Sequence, residues 1–449
     1  MSTIEKHDMT QGKILLPLVS FTIPLVLGNL FQLTYNAADS VIVGKYVGEQ
    51  ALAAVGTSTP IMNIAILLIS GMCMGASVLM SSQYGAKDYD TLSRQISTTM
   101  LAGCGFSVVF SLLMLLLANP VLRLIRVPET AIPEAAAYLR IIFMGLIFTF
   151  MYNFLANTMR ALGDSKTPLY FLVTSAFLNI FGDLFFVVVL RWGVAGSAIA
   201  TVCSEGLCCL LCGIYIKKKI PLLCLGKKWW VFDKSLLGKT VSYGSTSAMQ
   251  QVCLQLGKLI IQSVVNTQGV AVMAAFTAVN RVDDFAYTPQ QNIGHAMTTF
   301  LAQNKGAGHK ERMKKGFQTG LLIELVYSIG LFCVIWGLAP QIMTLFAEDG
   351  DAQVVSLGIS YLHLISWMYI LPGLTNGVQG FFRGIGDLKA TLYSTFMNMF
   401  GRVVAVFVMI RLLQMEFASL AWANMVGWIV MLLFEVPLLV KSMRNGECG

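Results

Sequence analysis

Along most of this chain apolar residues run in stretches too long for an alternating strand and too continuous for the single stripe of a soluble helix. Windows of about twenty apolar residues are enough to cross the hydrocarbon core of a bilayer. They predict helices over 14–43, 51–81, 95–118, 137–159, 168–190 and 193–216, then over 240–266, 270–302, 316–339, 354–378, 388–410 and 417–440. The expected fold is an all-α polytopic membrane protein with twelve transmembrane helices in two pseudo-symmetric six-helix lobes. The lobes fall at 1–216 and 240–449, with a basic cytoplasmic linker over 217–239 between them.

The two sets of helices also share short words. Arg160-Ala-Leu-Gly163-Asp164-Ser-Lys166 returns 223 residues later as Arg383-Gly-Ile-Gly386-Asp387-Leu-Lys389. Gly48 to Val55 matches Gly269 to Phe276 at an offset of 221, Gln83 matches Gln303 at 220, and Asn179-Ile-Phe-Gly182 matches Asn398-Met-Phe-Gly401 at 219. Transporters use a parallel repeat of membrane halves to place a site between bundles that rock against each other. Duplication therefore points toward transport before any single residue does.

Composition narrows the reading. With 56% hydrophobic and only 12% charged residues in 449, the chain has no way to hide its apolar surface in one soluble core. The first apolar stretch continues without a small-residue cleavage site, so no removable signal peptide is expected. Of the 31 Lys and Arg, 22 fall in alternate connections, among them Lys6, Lys13, Lys217 to Lys239, Lys305 to Lys315 and Lys441, against five on the other side (Lys45, Arg123, Arg126, Arg191 and Arg411). The bias toward the inner face places both termini in the cytoplasm of a multi-pass protein of the cell inner (plasma) membrane. Most of the net charge of +8 lies in those loops, which suits contact with anionic membrane lipid rather than with nucleic acid, for which no motif is present.

Other chemistry is sparse. The cluster Cys208-Cys209-Leu-Leu-Cys212 sits in an apolar run without a nearby His and reads as packing. Nothing resembles a P-loop, a nucleophile elbow, a zinc-protease helix or a dinucleotide fingerprint. The expectation is a protein that is not an enzyme and takes no cofactor.

Polar residues inside the apolar stretches are then the suspects, because an ionised side chain near mid-membrane costs roughly 2.5 to 3.5 kcal/mol on insertion scales. Asp39 in the first helix, Asn179 and Asp183 one turn apart in the fifth, and Thr201 in the sixth form the clearest set. Counted at 1.5 Å per residue from Lys45, Arg191 and Trp192, Asp39, Asp183 and Thr201 all lie roughly 9 to 14 Å inside one surface. Two carboxylates so close do not both ionise comfortably; one holds a proton or the pair shares a cation, a proton or a sodium ion. At the repeat offsets Asp39 falls on Ile260 and Asp183 on Arg402, so a cation site is expected in the first half alone. Glu205, one turn beyond Thr201, either extends that site or packs. Lys258, Arg281, Asp283 and Asp284 either pair with each other, the favoured reading, or meet substrate. His295 and His363 read as packing, and Pro24, on the helix of Asp39, permits bending. Candidates for lining a substrate cavity are Tyr35, Asn36, Met151, Asn153, Gln251, Lys258, Arg281 and Asp284, with Phe148, Phe150, Tyr152, Phe154, Met249 and Met273 as adaptable or merely packed neighbours.

Tyr35-Asn36-Ala-Ala-Asp39-Ser-Val-Ile-Val-Gly44, followed by Glu49-Gln-Ala-Leu-Ala-Ala-Val55, resembles the first helix and loop of the multidrug and toxic compound extrusion (MATE) family. The twin Arg-x-x-Gly-Asp words, Gln303-Asn304 with Gly306-Ala307, and Gly193 to Thr201 fit it as well, over essentially the whole chain. The resemblance implies two six-helix lobes forming a V-shaped cavity. It implies export of small drug-like cationic or amphipathic compounds by a monomer, in exchange for protons or sodium ions and by alternating access. In bacterial members an N-lobe cation-coupling site is built from residues that match Asp39, Asn179, Asp183 and Thr201. The C-lobe acids of some members are absent here, where helix 7 offers Gln250, Gln251 and Lys258 and helix 10 offers Asn376 and Gln379. The alternative is a lipid-linked precursor flippase of the same broad superfamily, which Lys258, Arg281 and Arg402 keep open.

Overall fold

Each predicted span is a helix, and two of the spans are broken. The computed structural model describes residues 8–125, 127–220, 230–346, 352–415 and 417–444, apart from the side chains of residues 36–38, 40, 49, 50, 52, 53 and 346. The first half holds α1 (Leu15–Tyr46), α2 (Glu49–Gly85), α3 (Tyr89–Leu124), α4 (Ile132–Met144), α5 (Leu146–Ala161), α6 (Lys166–Asp183) and α7 (Gly193–Lys219). The second holds α8 (Lys234–Val265), α9 (Val270–Gly306), α10 (Lys310–Phe346), α11 (Ala352–Ser366), α12 (Ile370–Ile385), α13 (Leu388–Val406) and α14 (Ser419–Arg444). The fourth predicted span is α4 plus α5, bent by 47°. The tenth is α11 plus α12, joined by a 3₁₀ turn at Trp367–Tyr369. Large apolar side chains such as Leu116, Leu210, Leu322 and Leu433 stay exposed, as lipid in place of water allows.

The break at Gly145 has a packing cause. A Cβ there would lie 2.4 Å from Cγ2 of Val202, so the missing side chain lets α7 cross against the bend.

The repeated word is turn chemistry. Gly163 and Gly386 take φ of 89° and 86°, the left-handed conformation that ends a helix. The next residue starts a new one: Asp164 Oδ1 accepts from the amides of Lys166 and Thr167 at 3.0 Å, and Asp387 Oδ1 accepts from Ala390 N at 3.1 Å. A third aspartate, Asp88, caps α3 at the membrane edge, and hydrogen bonds from Thr91 hold its carboxyl below the usual range.

The chain forms two compact units. One comprises Met1–Asp8 and Ile23–Ala248, the other Met9–Thr22 and Met249–Gly449. Within the first, a core of Ile69, Met80, Leu92, Leu139, Phe143, Phe150, Phe154 and Met159 is fully buried. In the second, Tyr361, Tyr369, Val279, Leu362 and Met368 do the same work. The N-terminal strap joins the second unit through polar contacts: Met9 N donates to Gln303 Oε1 at 3.1 Å, and Arg312 donates to the carbonyls of Met9, Gln11 and Gly12. Gln303 and Asn304, landmarks of the sequence, thus grip backbone. The chain changes unit between Thr22 and Ile23, beside Pro24 in α1.

Helix ends correct the repeat register. The π-helical turns that close α6 and α13 begin at Leu184 and Phe407, the same 223-residue offset that relates Asp164 to Asp387. Asp183 therefore corresponds to Val406 and Asn179 to Arg402, one helical turn from the register that the Asn-x-Phe-Gly words gave. α1 and α8 each span 32 residues and start 219 apart, while α2 and α9, each of 37 residues with a positive-φ glycine before it, start 221 apart, so the position opposite Asp39 falls within Lys258 to Ile260.

Candidate functional site

In the first unit the suspected residues come together on α1, α6 and α7. Gly-rich, small-residue packing brings these helices close: a Cβ on Gly182 would stand 3.0 Å from Cβ of Ala200. Ser197 Oγ donates to Asp39 Oδ1 at 2.7 Å. Asn179 Nδ2 donates to Thr201 Oγ1 at 3.2 Å, and that hydroxyl donates to the Ser197 carbonyl at 3.1 Å. Asp183 is fully buried near Asp39 and Ser197, and neither of its carboxyl oxygens has a hydrogen-bond partner among the described residues. All four expected coupling residues therefore belong to one cluster.

The immediate surroundings add groups that the sequence reading did not single out. Ser197, within the quoted Gly193 to Thr201 word, lies four residues before Thr201 and on the same helical face, which is the signal that would have found it. Tyr138 on α4 stands in the field of Asp39, Asp183 and Glu205. Tyr35, hydrogen-bonded by Gln32, interacts with Glu205 and Asp39. Glu205 itself accepts from Thr149 Oγ1 at 2.5 Å, so it is held from α5 and continues the cluster along α7. A π-helical turn begins directly after Asp183; such bulges shift the face that a helix presents.

Two carboxylates (Asp39 and Asp183), two hydroxyls (Ser197 and Thr201) and the Asn179 carboxamide on a few turns offer oxygen ligands suited to a proton or a small hard cation. Ser197 holds Asp39 by its hydroxyl, whereas Asp183 is buried without a hydrogen-bond donor among the described residues.

Other candidates separate from this cluster. Met151 packs against the first unit's core and its sulfur receives the Cys104 thiol at 3.6 Å; Phe150 and Phe154 stack in that core at 5.8 Å. The Asn153 amide turns back to the Thr149 carbonyl at 2.9 Å. The side chain of Asn36 lies outside the described residues. In the second unit, Gln251 is half-buried, Lys258 pairs with Asp284 at 3.4 Å and Arg281 is exposed. Asp283 points the other way, into a buried network: Tyr361 OH donates to its Oδ2 at 2.9 Å and Tyr369 OH to its Oδ1 at 2.5 Å. Pairing, the favoured reading, holds for Lys258 with Asp284 and not for Asp283. His363 stacks on Trp336 at 4.7 Å.

Comparison with known proteins places this arrangement. The family model MatE matches residues 24–185 and again 247–409, once in each half. A probable multidrug resistance protein of Bacillus subtilis, YpnP, is 32% identical over 392 residues, covering 87% of this chain and 86% of that protein. A probable multidrug resistance protein of Thermotoga maritima, NorM, is 23% identical, covering 92% and 89%. The solved outward-facing structure of a multidrug resistance MATE family transporter superposes with a TM-score of 0.91 at 21% identity, over 99% of both chains. With the family model matched in both halves, and with a relative above 30% identity along most of its length, this multi-pass membrane protein belongs to the multidrug and toxic compound extrusion (MATE) family of transporters.

Proposed function

We propose that this chain is a secondary active exporter that exchanges drug-like, often cationic, compounds for protons or sodium ions by alternating access. The carrying observation is Asp39, bonded to Ser197, in one cluster with the buried Asp183: two carboxylates whose like charges a single cation offsets. Relatives named as multidrug resistance proteins support the substrate class. In this reading a cation enters from outside to Asp39 and Asp183, with Asn179 and Thr201 completing its shell, and its binding relaxes the outward-open arrangement so that substrate leaves. The protein works as a monomer in the cell inner membrane with both termini in the cytoplasm, and it needs no cofactor.

The driving force is adequate. One net charge moving inward at 100 mV supplies about 2.3 kcal/mol, roughly a fifty-fold substrate gradient if coupling is tight.

Ethidium efflux from vesicles carrying the wild type or Asp39→Asn, with pH and sodium gradients imposed separately, tests this. Export by the wild type under one gradient, abolished in Asp39→Asn, supports antiport and names the ion. No export under either gradient overturns it and moves the lipid-linked precursor flippase ahead. That second reading draws on Lys258, Arg281 and Arg402, although Asp284 already faces the Lys258 ammonium.

A further inference from the structure

Midway along α10, Glu324 is completely buried, and neither carboxyl oxygen has a hydrogen-bond partner among the described residues. The other buried glutamate of this unit, Glu435, also lacks a hydrogen-bond partner among the described residues, but it stands in the field of the Arg383 guanidinium, whereas Glu324 has no such cation beside it. A buried carboxylate with neither a cation nor a donor is among the costliest arrangements a protein interior can hold. A buried carboxylic acid is tolerable.

The surroundings of Glu324 are polar and built from three elements. Gln290 on α9 is fully buried; its Nε2 donates to the Tyr369 carbonyl at 2.8 Å and to Ser328 Oγ at 3.0 Å, while its Oε1 has no hydrogen-bond partner among the described residues. Ser328, one turn along α10 from Glu324, donates to the Glu324 carbonyl at 2.7 Å and to the Tyr369 carbonyl at 3.3 Å. Opposite them is Gly373 on α12. A Cβ there would lie 2.8 Å from Ser328 Oγ, 3.2 Å from Gln290 Nε2 and 3.4 Å from Glu324 Oε2, so the glycine leaves the three polar side chains facing one small space.

We propose that Glu324, with Gln290, Ser328 and Gly373, forms a second proton-binding site, inside the second unit and separate from Asp39 and Asp183. In the protonated state Glu324 is neutral, and the orphaned Gln290 Oε1 is an acceptor for its O–H. When the proton leaves, the carboxylate requires donors, and the two at hand are Gln290 Nε2 and Ser328 Oγ. Both now hold the Tyr369 carbonyl. Turning to Glu324 releases that carbonyl, which belongs to the last residue of the 3₁₀ turn Trp367–Tyr369 between α11 and α12. The Tyr369 hydroxyl is meanwhile bound to Asp283, so the same residue joins both buried acids of the network. Loss of the proton thereby loosens the break in this span.

Other titratable groups do not replace this role. Tyr327, on the same helix, is the group in electrostatic contact with Glu324. From α9, Asp283 reaches only through Tyr369 and is itself faced by Tyr361, Arg402 and Asp284, while Tyr287 packs on the Tyr369 ring at 5.5 Å. His295 lies about 8 Å further along α9 than Gln290. From α11, His363 stacks on Trp336, about 18 Å along α10 from Glu324. From α12, Arg383 is occupied with Gln379 at 2.6 Å and lies about 15 Å along the helix from Gly373.

Infrared difference spectra of the full-length protein in lipid nanodiscs test the proposal, together with amide hydrogen exchange over residues 366–372. At neutral pH the wild type is expected to show a protonated-carboxyl C=O band that is lost in Glu324→Gln and kept in the Asp39→Asn, Asp183→Asn double variant. Gly373→Ala, which crowds the space without removing the acid, is expected to shift that band. Raising pH should bleach it in the wild type and speed exchange over 366–372 beyond the intrinsic pH effect, whereas Glu324→Gln, the neutral isostere, folds as the wild type does and shows no such pH step. Spectra of Glu324→Gln that superimpose on the wild type, a band that does not move in Gly373→Ala, or a pH step kept in Glu324→Gln would each overturn the assignment. None of these readouts needs transport, so the outcome is independent of the antiport reading.

Discussion

The Ser197 hydroxyl reaches from α7 to Asp39 Oδ1 on α1 at 2.7 Å, a bond across 158 positions of sequence. It fixes the orientation of the one carboxylate in the pair that is only half-buried, while Asp183 behind it has no exposure.

Removal of that hydroxyl should be felt. A hydrogen bond to a charged group contributes about 1.5 to 3 kcal/mol, so Ser197→Ala is expected to lower gradient-driven ethidium efflux about tenfold or more, and Ser197→Thr to restore much of it. Thr174→Ala, on an exposed face of α6, is the matched control. Efflux in Ser197→Ala equal to that control would remove the bond from the coupling site.

Asp39 and Asp183 act as a unit in the proposed exchange. Asp39→Asn and Asp183→Asn should each abolish ion-driven export, and the double variant should be no worse than either single one, the signature of strongly coupled neighbours. Additive losses in initial efflux rates would show two independent roles.

Gly145 is expected to tolerate nothing larger. Gly145→Ala sets a Cβ 2.4 Å from Val202 Cγ2, and overpacking of this kind costs about 1 to 3 kcal/mol. Thermal melting in detergent should fall in Gly145→Ala and recover in part in the Gly145→Ala, Val202→Ala pair. A pair no more stable than the single variant would place the cause elsewhere.

The repeated aspartates are caps, so their amide analogues should serve. Asp387→Ala is expected to cost about 1 kcal/mol of stability and Asp387→Asn only a fraction of it, because Asn also accepts at an N-cap. If Asn proved as damaging as Ala in chemical denaturation, charge rather than capping would explain the repeated word.

The sequence carried the fold because membrane spans are written in composition: an apolar run of bilayer length has few alternatives once every backbone group must be satisfied within its own helix. Two spans were harder. By length and apolarity nine of the described helices, or ten with the bent pair taken as one, pass as membrane-crossing; α8 and α9 do not, since Gln250, Asp283, Gln290, Gln303 and Asn304 dilute their apolar windows. Each of these five is buried, so its polarity is matched by packing rather than by water. The register of the repeat along α6 and α13 was misread for a related reason: matching Asn-x-Phe-Gly words carry no geometry of their own, whereas capping aspartates and π turns are fixed by backbone geometry.

By itself, the sequence determined the twelve spans, their duplication, and Asp39, Asn179, Asp183 and Thr201 as polar residues at similar depth, because depth follows from counting along a helix of constant rise. Only the tertiary structure decided which side chains touch. It supplied Ser197 as the donor to Asp39, separated Asp283 from Asp284 by the faces they occupy, and left the Glu324 carboxyl without a hydrogen-bond partner among the described residues. Contacts of that kind depend on helix rotation and crossing, set by the packing of all neighbouring helices together, and no linear pattern encodes them singly.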